Sequence, residues 1–284
     1  MNVVAASVLM GLPVLPLHAQ DPSPKSVNFY SLEREIQIGQ DLAADLARTL
    51  PSIRESKLDA WLAGLTAELA KHADPRFTYS VTVYDDRKAV RRPGLSMAMP
   101  VDAFHGPVVE PVSLPGGPIA VPFSLLANAP DEAAVAFQLA HAMSHIALRH
   151  ATRQATRMEL QSVATYPLRV QSVSGVAADV ILAAQPIAME LSLFTFARRF
   201  ELEADALAAG ILSEAGYDPA KVVPYLEDQW TTIDPRPAKI FTGHPTITRR
   251  IETIEGELDK RPTRVYGAST GQFAEIQALI AGMQ

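Results

Sequence analysis

The sequence predicts a mainly helical α+β domain with one small sheet. Three observations predict it. Apolar residues recur at helical spacing over most of the chain; one short stretch, Arg76 to Tyr84, alternates with period two; and two extended runs flank the turn Pro115-Gly116-Gly117. A chain of 284 residues is long enough for an ample core, and residues 21–284 read as a single domain.

Val3 to Leu17 is apolar and precedes Leu17-His18-Ala19-Gln20-Asp21, so residues 1–20 read as a secretory signal with cleavage near Ala19 or Gln20. No Lys or Arg precedes the run, and Pro13 and Pro16 interrupt it, so a disordered apolar leader is the alternative. Ser31 to Leu50 is a helix with Leu32, Ile36, Leu42 and Leu46 on one face and Ser31 as N-cap. Lys57 to Lys71 is a second. In Arg76 to Tyr84, Phe77, Tyr79, Val81 and Val83 alternate with polar residues, the pattern of a half-buried strand. Asp85 to Pro107 is basic and Pro-bearing, and reads as a loop.

Val108 to Leu114 and Pro118 to Pro122 are the extended runs beside the turn. Pro130-Asp131-Glu132 starts a helix, its carboxylates at the positive end of the helix dipole, and that helix runs to about Arg157. Pro167 and Pro186 break the next region into pieces. Val176 to Phe196 is the most apolar later stretch, but Asp179, Gln185, Pro186 and Glu190 make it a buried or membrane-touching segment, not a span. Phe200 to Ala215 is a helix closed by Gly216; Asp218 to Trp230, Thr246 to Leu258 and Gly271 to Met283 are further helices. The mature chain is expected to be soluble and exported, periplasmic or secreted.

Composition narrows the chemistry. A formal charge of -6 gives no reason to expect nucleic acid. With no cysteine, disulfides and thiolate metal sites are excluded, and metal ligation must come from histidine and carboxylate.

The helix from Pro130 carries His141-Ala142-Met143-Ser144-His145 within an almost wholly apolar stretch, Ala133 to Leu148. Residues four apart lie about 40° apart around a helix, so both imidazoles can reach one metal ion. Two core histidines bonded to carbonyls is the plainer reading, and other features must add to the pair. Glu201 and Asp205 add to it: they share a helix face while Glu203 points away. Glu201 is placed to complete a two-histidine, one-glutamate site, with Asp205 orienting a histidine ring behind it. A solvated acidic face is the alternative.

The pieces His141-x-x-x-His145-x-x-x-Arg149-His150, Arg198-x-x-Glu201-x-Glu203-Ala204-Asp205, Ala215-Gly216-Tyr217-Asp218-Pro219, His244-Pro245 leading to Arg250-Ile251, and Leu114-Pro115-Gly116-Gly117 together resemble the HtpX/BepA-like zinc metallopeptidases, relatives of the prenyl-protein endopeptidases. The resemblance spans roughly Ser31 to Leu258. It implies a zincin-like fold with the small sheet packed on the metal-binding helices. It also implies one zinc held by His141, His145 and Glu201, with His244 as a possible fourth ligand. The activity implied is metalloendopeptidase hydrolysis of unfolded or extended polypeptide, which pairs by β-augmentation on the strand leading to Leu114.

The match departs in two places. In H-E-x-x-H the residue after the first histidine is the general base, and here it is Ala142. At the cleft edge relatives usually show Asn-Ala where this chain has Glu110-Pro111, and Pro111 removes a backbone donor. General acid–base catalysis contributes about 10²–10⁴-fold, so a slow or dead peptidase is the expectation. An inactive, zinc-stabilised polypeptide-binding chaperone or regulator is the alternative. Glu110 is a candidate replacement base, against the plainer reading of a solvated edge-strand charge. His150, 140° from His145 on a continuous helix, is excluded from the metal and read as a structural partner near Arg149; His72 and His105 read as ordinary surface or loop residues.

Overall fold

A computed structural model describes residues 27–88, 110–170, 197–231, 245–267 and 271–283. The signal region, His105, Val176 to Phe196 (its last residue included) and His244 lie outside these residues.

The chain opens with α1 (Leu32–Thr49), capped by Ser31, whose hydroxyl accepts from the Arg34 amide, with Glu33 and Glu35 in the first turn. Helix α2 (Ser56–Ala70) buries Leu58, Trp61, Leu62, Leu65 and Leu69, one stripe at helical spacing. The strand β1 (Ser80–Tyr84) comes next; it starts four residues later than the alternation suggested. The stretch before it turns around Asp74, which accepts from the amide and side chain of Arg76. Then come β2 (Val112–Ser113) and β3 (Pro118–Pro122) on either side of the expected turn. The sheet order is β1-β3-β2, with β1 parallel and β2 antiparallel to β3, so β2 is an edge strand among the described residues.

That turn docks on α1. Gly116 has φ 77°, in the left-handed region, and any Cβ there would meet the backbone of Ile36. A Cβ on Gly39 would lie inside van der Waals contact with the Pro115 carbonyl. Gly39→Ala is therefore expected to lower unfolding stability by about 1–3 kcal/mol in urea titration, the usual cost of overpacking. An unchanged midpoint would contradict this packing of α1 on the turn.

Helix α3 (Phe123–Asn128) begins where β3 ends and buries Phe123, Leu125 and Leu126. The sequence pattern predicts no helix here, because six residues are too few for a period to show. Helix α4 (Glu132–Ala147) starts at the Asp131 cap, which accepts from the Ala134 amide. It is buried on almost every side, against α2, β2 and β3, so the helix that carries His141 and His145 is the centre of the core.

One expectation fails at its far end. The helix does not run to Arg157. It stops at Leu148, Arg149 takes a left-handed conformation (φ 58°), and a new helix, α5 (His150–Val170), sets off. A non-glycine residue there costs about 1–2 kcal/mol, and the Arg149 side chain offsets it. Its Nε donates to Glu35 at 2.7 Å, and Nη2 donates to the Tyr30 carbonyl at 2.6 Å. Glu35 is itself buried and also accepts from Thr152. Nor does Pro167 end α5, which continues to Val170; proline removes one donor without forbidding continuation.

Helix α6 covers residues 197–214 and is closed by Gly216 (φ 87°), with the Tyr217 amide reaching back to the Leu212 carbonyl at 3.0 Å. After a 3₁₀ turn at Pro219–Lys221 come α7 (Val222–Thr231), α8 (Ile247–Leu258, capped by Thr246) and α9 (Phe273–Ala281). Helix α8 turns Arg250 and Ile254, one helical turn apart, inward. Among the described residues no helix is long and apolar enough to cross a membrane.

Candidate metal centre

Helices α4 and α6 bring His141, His145 and Glu201 together; one ligand atom from each lies within 4.8 Å of the others. His141 Nε2 and His145 Nε2 are 3.0 Å apart. Glu201 straddles them, Oε2 at 3.4 Å from His141 Nε2 and Oε1 at 3.5 Å from His145 Nε2. With metal–nitrogen bonds of about 2.0–2.1 Å, tetrahedral geometry puts ligand atoms about 3.3–3.4 Å apart. The spacings fit one small cation.

Electrostatics supports the same fit. Burial works against protonating His141, yet Asp205 and Glu201 outweigh it and push its pKa up to about 10. Burial holds His145 well below the usual histidine range, with the charge of Glu201 opposing it. Two ring nitrogens facing each other beside a carboxylate thus draw a single positive charge. Farther out, Arg250 donates to both oxygens of Asp205 at 2.8 Å, and its Nη1 stands 3.2 Å from Glu110 Oε1. Burial opposes the charge on Arg250, but these carboxylates raise its pKa well above the ordinary value. With both imidazoles neutral, as ligation requires, three carboxylates (Glu110, Glu201, Asp205) against one guanidinium carry two negative charges, which a divalent cation would balance.

The expected pairing of Asp205 with a histidine is present: its Oδ1 lies 3.0 Å from His141 Nδ1. The approach is an ion pair and not an aligned hydrogen bond. Asp205 is fully buried, and Arg250, more than burial can oppose, keeps it ionised. Glu110 is neither a solvated edge charge nor part of the metal cluster; it is largely buried and closes the chain Glu110–Arg250–Asp205–His141. Ala142 is buried at 1% exposure. One turn before it on the same face, Gln138 donates to the Tyr225 hydroxyl at 3.3 Å.

His150 needs correction. The 140° separation assumed an unbroken helix, and the break at Arg149 instead brings His150 Nδ1 to 3.0 Å from His145 Nδ1. Glu203 does point away from the metal cluster, as expected, but onto His150 at 3.3 Å, Arg153 at 3.1 Å and Arg199 at 3.1 Å. Burial would raise the Glu203 pKa, but His150 and Arg153 bring it down to about 2. His72 lies at the end of α2, 4.0 Å from Glu68 and away from the cluster. Sequence reasoning missed the roles of Arg250, His150 and Glu203. The signal for the last two was the polar Arg149-His150 following an almost wholly apolar helix.

A helix-borne histidine pair completed by a glutamate from a later helix, beside a small sheet, defines a metallopeptidase-type centre. Residues 56–258 match the model of peptidase family M48, and the chain belongs to that family, whose members are zinc metallopeptidases. It is similar to the β-barrel assembly-enhancing proteases of Escherichia coli (strain K12), Shigella flexneri and Escherichia coli O157:H7, each 22% identical over 260 residues. That alignment covers 88% of this chain and 49% of each relative, so the chain spans about half the length of the curated relatives it matches.

Proposed function

We propose that this chain binds one zinc through His141, His145 and Glu201 and acts on envelope or exported polypeptides as a metalloendopeptidase weakened or silenced at Ala142. The observation that carries the reading is a contrast within one helical turn: the donor set is intact, and the neighbouring position holds only a methyl group. The name of the relatives, a protease that enhances β-barrel assembly, supports the envelope polypeptide as substrate class.

Zinc, when bound, supplies Lewis acidity toward a carbonyl oxygen and toward water. The chain's own residues do the rest. Asp205, fixed by Arg250, orients His141. The edge strand β2 packs against α4, so an extended polypeptide paired on its open side would run beside the histidines. Pro111, just before that strand, offers no amide, which shortens the pairing edge. At 142 no carboxylate takes a proton from water or delivers one to the departing amine. The candidate replacement is Glu110, which must leave Arg250 to serve. On that reading Glu110→Gln abolishes whatever cleavage the zinc-loaded wild type has, and retained cleavage reduces Glu110 to a partner of Arg250. His244 is proposed as a fourth ligand that shields the metal.

Ala142 favours one further reading, a zinc-stabilised polypeptide-binding chaperone or regulator that does not cut. Turnover of an unfolded casein, with and without chelator, separates the two. Chelator-sensitive cleavage supports the peptidase, and binding without turnover supports the binder. Metal removal has its own signature. At zinc one hundred-fold above its dissociation constant, the bound state gains about 2.7 kcal/mol. Thermal unfolding is expected to shift down on chelation, and coincident curves would contradict a zinc site.

A further inference from the structure

We propose that His150, backed by Glu203, is a positioning residue that fixes the ring of His145 for the metal. The inference rests on the zinc reading above. His145 turns Nε2 toward His141 and Glu201, and turns Nδ1 toward His150 Nδ1 at 3.0 Å. The far nitrogen of His150 is 3.3 Å from Glu203 Oε2.

A carboxylate only accepts, so His150 carries its proton on Nε2 and donates it to Glu203. Its Nδ1 is then a lone pair, and the proton between the two rings belongs to His145 Nδ1. That leaves a lone pair on His145 Nε2, on the side where His141 and Glu201 converge. The reverse assignment would set a lone pair of His150 against the Glu203 carboxylate. With neutral rings, one arrangement satisfies all three groups, and it is the one a metal requires.

The surroundings fix the arrangement. His150 is buried and stacks on Phe200, ring centroids 4.1 Å apart and planes 12° from parallel. Arg153 lies over the same Phe200 ring at 4.4 Å and meets Glu203 at 3.1 Å, while Arg199 holds the other Glu203 oxygen at 3.1 Å. The left-handed Arg149 makes this possible, since on a continuing helix His150 would lie 140° around from His145. The two histidines are thus oriented by different devices: His141 directly by a carboxylate, and His145 by a carboxylate acting through a second imidazole.

The test compares zinc affinity, by competition with a chelating dye, in wild type, His150→Phe and His150→Gln of the full chain. Phenylalanine keeps the stack on Phe200 and removes the acceptor; the expected loss is about 10–100-fold in affinity. Glutamine, whose carbonyl can accept, is expected to recover most of it. Should His150→Phe fail to fold, imidazole ¹⁵N shifts of the zinc-loaded wild type decide: His145 is expected to carry its proton on Nδ1, with spin coupling across to His150 Nδ1. Wild-type affinity in a folded His150→Phe, or a proton found on His150 Nδ1, overturns the proposal. A wild type that takes up no zinc overturns the metal reading itself, and is seen before any variant is compared.

Discussion

Ala142→Glu is expected to raise chelator-sensitive cleavage of an unfolded polypeptide by about 10²–10⁴-fold, the usual contribution of a general acid–base group. In barrier terms this is about 3–5 kcal/mol. Position 142 follows His141 on α4, one residue from the histidine pair, and shares the helix face of Gln138, which donates to Tyr225. The grouped His141, His145 and Glu201, the Asp205–Arg250 pair and the strand β2 are already in place. Because Ala142 is buried, a circular-dichroism and zinc check must accompany the assay. A folded, zinc-loaded Ala142→Glu protein that cleaves no faster than wild type would show that the cleft lacks more than its base.

Arg250→Met is expected to destabilise the fold by about 3–5 kcal/mol, the cost of breaking a buried ion pair by removing one partner. Asp205 has 0% exposure and receives two hydrogen bonds from Arg250 at 2.8 Å. Without them its charge sits against the His141 ring alone. Zinc affinity falls with stability, because the carboxylate that orients His141 is no longer held. Adding Asp205→Leu separates the two effects. Removing both charges recovers part of the stability, while zinc affinity stays low because His141 has lost its partner. Urea titration and dye competition on the two proteins check this, and an Arg250→Met protein as stable as wild type would contradict it.

Features that repeat locally were legible in the sequence. The stripes of α1 and α2, the Ser31 cap, the helix start at Pro130-Asp131-Glu132, the Pro-Gly-Gly turn and the Gly216 stop each depend on a few neighbouring residues, and each is present. The grouping of His141, His145 and Glu201, with Asp205 behind them, was legible for the same reason: 141 with 145, and 201 with 205, are helix-turn spacings.

Features that depend on long-range partners were not legible. The stop after Leu148 is held by Glu35 and the Tyr30 carbonyl, more than a hundred positions away, and nothing near Arg149 announces a left-handed residue. Without that break, His150 falls on the wrong side of the helix axis. Arg250 likewise stands in the sequence only as one residue of a matching piece, and its role shows when the fold sets it on Asp205 and Glu110, contributed by two other parts of the chain.

The decisive measurement is the metal content of purified protein, taken beside a Glu201→Gln variant. One zinc per chain in wild type, and little or none in the folded variant, is the predicted result. A folded wild type without zinc, or a Glu201→Gln protein retaining a full equivalent, would contradict the convergence of these two helices on a single cation.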